Sequence, residues 1–181
     1  MNGLGAHEWH GGHSPVHDRV AELERQLEEQ KGIITMTNYQ RTASWLAACG
    51  KEPNGENLSV QIGCDLEEIA EYLETLAFDD KDANDVLGMM AEDLRDIGIH
   101  LKRRDMVAEI IDREAALDAL CDREVTANGV AFLAGFNKDA ADAAVLASND
   151  AKLVDGKPVI LPGGKIGKPE GWKAPDLSKF V

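Results

Sequence analysis

"CDLEEIAEYLETL", Cys64 to Leu76, decides how this chain folds. At 3.6 residues per turn, Leu66, Ile69, Ala70, Leu73 and Leu76 fall on one apolar stripe, a spacing that a strand does not produce. The same wheel gathers Glu67, Glu71 and Glu74 on another face, with Glu68 about 60° beyond Glu71. Carboxylates three and four apart on a helix repel by roughly 0.2–0.5 kcal/mol a pair. On a solvated face that cost is tolerable. A cation between them would reverse its sign.

Helical signals continue on both sides. "TNYQRTASWLAACG" (37–50) predicts a helix with Thr37 or Asn38 as N-cap and Gly50 as stop, and Tyr39 and Trp45 suit core packing there. The carboxylate helix runs from about Ser59 to Phe78. "DDKDAND" reads as a turn, and "VLGMMAEDLRDIGIHLKRR" as a helix with Gly88 and Gly98 as weak points. "DMVAEIIDREAALDALCDREVTANGVAFLAG" predicts a long helix ending near Gly135, and "NKDAADAAVLASND" a shorter one. Upstream, "DRVAELERQLEEQ" (18–30) places Val20, Leu23 and Leu27 on one stripe, as in a short amphipathic or coiled-coil helix. After Asp150, "GKPVILPGGKIGKPEGWKAPDL" is dense in Gly, Pro and Lys and reads as an irregular tail. No strand pattern or fixed-period repeat stands out. The expectation is an all-α fold, a bundle of about four core helices completed by oligomerisation. Residues 1–35 form an extension, 36–150 the helical domain and 151–181 the tail.

Composition narrows the function classes. A chain of 181 residues, 44% hydrophobic and 29% charged, suits a soluble globular domain with a core of its own. Its formal net charge of -14 gives no basic footprint for a phosphate backbone, so no nucleic acid is expected as partner. Phosphorylated small molecules remain open to an acidic protein when a divalent metal sits between the two. Cys49, Cys64 and Cys121 match no CxxC spacing, which points to reduced thiols and a cytoplasmic location. No run approaches a membrane span, so no membrane partner is expected.

A second acidic pair lies in "ALDALCDREVTANGVAFLAG". Asp118 and Asp122 stand one turn apart, amid Leu117, Leu120, Cys121, Val125, Val130 and Phe132. A helix apolar nearly all round is expected to be buried. A buried aspartate needs a cation, a basic partner or a shared proton. Arg123 is the near basic residue, and it points about 100° away from Asp122. Two helices each carrying such a pair can build an oxygen-rich cage, which suits Mg²⁺ or Mn²⁺.

The order of these pieces resembles the all-α nucleoside triphosphate pyrophosphohydrolases, the MazG-like superfamily that includes dimeric dUTPases and phosphoribosyl-ATP pyrophosphohydrolase. "LEEIAEYLETL" looks like the family's ExxE element, with Glu68 and Glu71 as the pair. "LDALCDREVTANGVAFLAGF" looks like its second acidic element, with Asp118 and Asp122 spaced by four rather than three. "VLASNDAKL" resembles its late Asn-plus-Lys segment, here Asn149 and Lys152. The closing "GKIGKPEGWKAPDLSKFV" looks like the tail of phage and bacterial members. The resemblance covers roughly residues 36 to 181. It implies metal-dependent hydrolysis of a nucleoside triphosphate, with a deoxynucleotide favoured, to the monophosphate and pyrophosphate. It also implies Mg²⁺ or Mn²⁺ held by Glu68, Glu71, Asp118 and Asp122, with Glu67 as a further ligand or general base. Asn149 and Lys152 would approach metal and phosphate, in a homodimer or homotetramer; apart from the resemblance, Lys165 and Lys168 of "GGKIGK" are candidates to bind phosphates, with plain solvated lysines as the slightly favoured alternative. Glu74 is assigned to the surface.

Other motifs carry less. "HEWHGGHSPVH" holds His7, His10, His13 and His17, but its spacing is not HExxH. "DDKDANDVLGMMAE" lacks the glycine and glutamate of a calcium loop and reads better as a capped helix start. "GGKIGK" has no preceding strand and no GK[ST] ending, so it is no phosphate loop. Trp172 is expected to pin the tail. The alternative to an enzyme is a non-enzymatic acidic helical protein, a DNA mimic or an oligomerisation module.

Overall fold

The computed structural model describes residues 15–160 and 166–181, apart from the side chains of 15–17 and 32–35. Its described residues form six helices: α1 (Pro15–Thr35), α2 (Asn38–Ala48), α3 (Gly55–Leu73), α4 (Lys81–Arg103), α5 (Arg113–Leu133) and α6 (Lys138–Asp150). The fold is all-α, as the periodicity predicts. The chain divides into two compact units, Met1–Ala43 and Ser44–Val181.

Helix starts follow local chemistry. Thr37 and Gln40 form a reciprocal cap on α2: Gln40 N–H donates to Thr37 Oγ1 at 3.2 Å, and Thr37 N–H donates to Gln40 Oε1 at 2.9 Å. Asn54, Asp80 and Asp112 cap α3, α4 and α5, each accepting a backbone N–H three residues on. Asp80 and Asp82 therefore open a helix. The long helix expected from Asp105 begins only at Arg113. Arg104 ends α4 in a left-handed conformation (φ 66°), and residues 105–112 run irregularly before the Asp112 cap. Ser59 holds this stretch against α3: its Oγ donates to Gly55 O at 2.8 Å and accepts from Ala108 N at 3.0 Å.

The most extensive packing is between α3 and α4. They touch through small residues. A Cβ on Gly63 would lie 2.8 Å from the Gly98 carbonyl oxygen, and one on Gly98 would lie 2.8 Å from the Gly63 oxygen. Ala70 and Ala91 are fully buried in the same seam. Gly63 and Ala70 are seven residues apart, as are Ala91 and Gly98. Two turns of each helix thus present the same small face, and the backbones meet. Gly98 is a contact residue, and a side chain there would hold the helices apart.

The tail, irregular by expectation, contains two short regular pieces, a hairpin and a 3-10 helix at Ser178–Phe180. Leu153–Val154 (β1) pairs antiparallel with Lys157–Pro158 (β2). Asp155 (φ 51°) and Gly156 (φ 71°) both take positive φ at the turn. Asp-Gly is the preferred pair for this tight turn, and that dipeptide was the available signal. The tail then returns along α6. Trp172 Nε1–H donates to Ser148 O at 2.9 Å near the end of α6, and Asn137 N–H at its start donates to Phe180 O at 2.8 Å. Trp172 pins the tail as expected. Tyr39 does not pack in a core: it is 81% exposed.

Candidate functional site

The acidic face of α3 divides into two sets. Glu67 and Glu74, seven residues apart, both face α4. Glu67 Oε2 lies 2.6 Å from Lys102 Nζ, and Glu74 Oε1 lies 2.8 Å from Arg95 Nη2. Lys102 and Arg95 are also seven apart, so the two ion pairs repeat along the antiparallel seam and flank the small-residue contact. The Arg95 hydrogen bond holds the Glu74 carboxyl below the usual glutamate range. Glu74 is at the surface, as expected, but it is engaged there.

Glu68 and Glu71 have no ion-pair partner among the described residues. Partial burial, then the charges of Glu71, Glu67 and Asp65, push the Glu68 carboxyl above its usual range. The side chain itself is solvent-exposed in the single chain; its neighbours restrict the water around it rather than cover it. Asp65, one turn before Glu68, takes a two-pronged bond from α5: Arg123 Nη1 to Oδ2 at 2.5 Å and Nη2 to Oδ1 at 2.7 Å. This fork draws the Asp122–Arg123 turn of α5 toward the stretch of α3 that bears Glu68.

The end of α6 makes the third group. Lys152 Nζ donates to Asn149 Oδ1 at 2.9 Å. Trp45 Nε1–H donates to Asn149 O at 2.9 Å, so Trp45 and Trp172 hook adjacent carbonyls of the last turn. Lys152 Nζ sits 5.8 Å from the Trp45 ring centre and 5.6 Å from that of Trp172, and Lys168 Nζ stands 4.4 Å from the Trp172 ring. Burial and the Lys168 charge hold Lys152 below the usual lysine range, with Cys49 and Glu68 acting in the opposite direction. The Glu68 charge is thus felt at Lys152, as the weakest of these influences.

The second acidic pair departs from expectation. Asp118 and Asp122 are exposed, and so is nearly all of α5, where only Ala131 is buried. Val125 is 68% exposed, Phe132 80% and Leu133 85%. The expected burial of this apolar helix is not met within one chain, because no other described segment covers it. The inference that buried aspartates demand a cation loses its premise there. Among the described residues, no three His, Cys, Asp or Glu side chains converge closely enough to hold a metal. The oxygen chemistry of Glu68, Glu71, Asp118 and Asp122 does fit Mg²⁺ or Mn²⁺.

His7, His10, His13 and Lys165 lie outside the described residues, as does the side chain of His17. Lys102 and Arg95 are not among the residues that the sequence singles out, and the Asp65 carboxylate, one of the acidic set on this helix, is held by Arg123. The heptad match of Glu67/Glu74 with Arg95/Lys102 was the signal that could have found the first two. No helix among the described residues is long and apolar enough to cross a membrane. Comparison with protein-family models, curated proteins and solved structures returned no match.

Proposed function

We propose that the chain is a metal-dependent nucleoside triphosphate pyrophosphohydrolase, releasing a nucleoside monophosphate and pyrophosphate, with deoxynucleotides as the favoured substrates. One observation carries the reading. Of the five glutamates on α3 and its C-cap, Glu56, Glu67 and Glu74 pair with Arg104, Lys102 and Arg95, and the two that the ExxE resemblance singles out, Glu68 and Glu71, have no basic partner among the described residues. In this reading Glu68, Glu71, Asp118 and Asp122, which do not converge within one chain, would hold Mg²⁺ or Mn²⁺ once a second copy brings them together. The metal supplies charge neutralisation of the triphosphate and lowers the pKa of a water for in-line attack. Lys152 and Lys168 bind phosphate oxygens, and Asn149 orients the substrate. Glu67, held by Lys102, braces the ExxE turn instead of acting as base. Because α5 is uncovered in one chain, a second copy closes over it, and the working form is a homodimer or homotetramer. A non-enzymatic acidic interaction protein is the second reading, favoured by the exposure of Asp118 and Asp122.

The test is a panel of nucleoside triphosphates with Mg²⁺ and with Mn²⁺, products separated by ion exchange. Monophosphate and pyrophosphate are expected. Glu71→Gln should lower turnover by orders of magnitude at unchanged helix content, whereas Glu74→Gln should leave it near wild type. Equal, mild effects of the two changes would reduce α3 to a charged face.

A further inference from the structure

We infer that α1 pairs with α1 of a second copy as a parallel, in-register two-stranded coiled coil. Val20, Leu23, Leu27 and Gln30 follow the 3,4 spacing of a heptad, with Val20 and Leu27 at a and Leu23 and Gln30 at d. In sequence the spacing extends to Val16 and Ile34. Val20, Leu23 and Leu27 are about half exposed in the structure (47%, 49% and 52%). A helix of this length draws most of its stability from packing such a face. The opposite face is already complete. Arg25, at the outermost f position, bonds Glu22 at 2.8 Å and approaches Glu29 at 3.6 Å, and Lys31 bonds Glu28 at 2.8 Å. The ion pairs lie outward and sideways and leave the apolar stripe clear, the division of faces that a coiled coil needs.

Charge complementarity selects a second copy and its direction. Arg19 occupies g and Glu24 the following e. In a parallel pair, g of one helix meets the next e of the other, so two Arg19–Glu24 contacts form. In an antiparallel pair with its a and d layers matched over this stripe, e meets e, and Glu24 faces Glu24 of the other copy while Arg19 finds no acid. Gln30 adds a polar layer that pairs with itself only when the register is parallel and unshifted.

The inference is independent of the nucleotide reading, because its readouts do not involve hydrolysis. The full chain carrying Val20→Cys is oxidised with diamide and its disulfides are mapped by mass spectrometry. A disulfide joining position 20 of one chain to position 20 of the other is expected, and it should vanish when Leu27→Asp is added. Mixing Val20→Cys chains with Gln30→Cys chains separates the alternatives: a disulfide between position 20 and position 30, in place of the symmetric one, would overturn the parallel register. Sedimentation equilibrium gives a second arm. Arg19→Glu should weaken self-association several-fold, and Arg19→Glu/Glu24→Arg should restore it. Absence of the symmetric disulfide, or failure of the double reversal to restore association, overturns the proposal.

Discussion

Glu68 is the residue whose ionisation the fold resists. Its carboxyl is held above the ordinary value of 4.5 by partial burial and three neighbouring acids. The folded state therefore favours the protonated form. This contribution to stability is fully present below the unfolded pKa and is lost as pH rises through the folded one. Glu68→Gln should accordingly melt higher than the parent at pH 7, with the gap closing as pH falls through the raised folded pKa and gone below about 4.5. Thermal unfolding from pH 4 to 8 checks this; a gap that widens toward acid would contradict it. Glu74 shows the opposite balance, since its arginine bond favours the ionised form. Neighbouring glutamates on one helix thus differ in kind, and the ExxE spacing alone marked which of them lack a basic partner.

At the scale of the helices, the α3–α4 seam makes a direct prediction. Gly63→Ala must push a methyl into the Gly98 carbonyl and the Leu101 side chain, which lie 2.8 and 2.9 Å from the new carbon. Overpacking of this kind costs about 1–3 kcal/mol. Gly88→Ala, on α4 with nothing within 4 Å, should instead gain about 0.5–1 kcal/mol from helix propensity. Urea unfolding of the two variants separates them, and equal shifts would mean the seam is not close-packed. In sequence Gly98 reads as a weak point of its helix, because helix propensity carries no information about contact. The six α-helices of the described residues are legible in sequence, since period and caps are local properties, whereas the short 3-10 helix Ser178–Phe180 in the tail is not. Less is legible where the deciding partner is remote. Val125, Phe132 and Leu133 look like core by composition, yet no described segment covers them. Likewise Asp65–Arg123 joins residues that no local pattern relates. The α5 start was misplaced by eight residues, because "MVAEIID" is apolar enough to extend a helix that Asp112 in fact begins.

At the scale of the whole molecule, the carboxylates of α3 and α5 are the largest unspent electrostatic resource. If they hold a divalent cation, millimolar Mg²⁺ or Mn²⁺ should stabilise the fold by about 1 kcal/mol and raise the melting temperature by about 2–4 °C. Asp122→Asn should shrink that shift, and an undiminished one would remove Asp122 from the ligands. The seam between α3 and α4 also sets an order of events. Gly63 and Gly98 meet within one helical hairpin, whose arms are joined by residues 74–80. The loop joining the two helices is only seven residues, so the hairpin can close at the turn and pack toward Gly63 and Gly98 with little chain to order at each step. The apolar surface of α5 has no such local partner and, under the proposed function, waits for a second chain. Assembly would then divide into a fast step within each chain and a slower one whose rate rises with protein concentration.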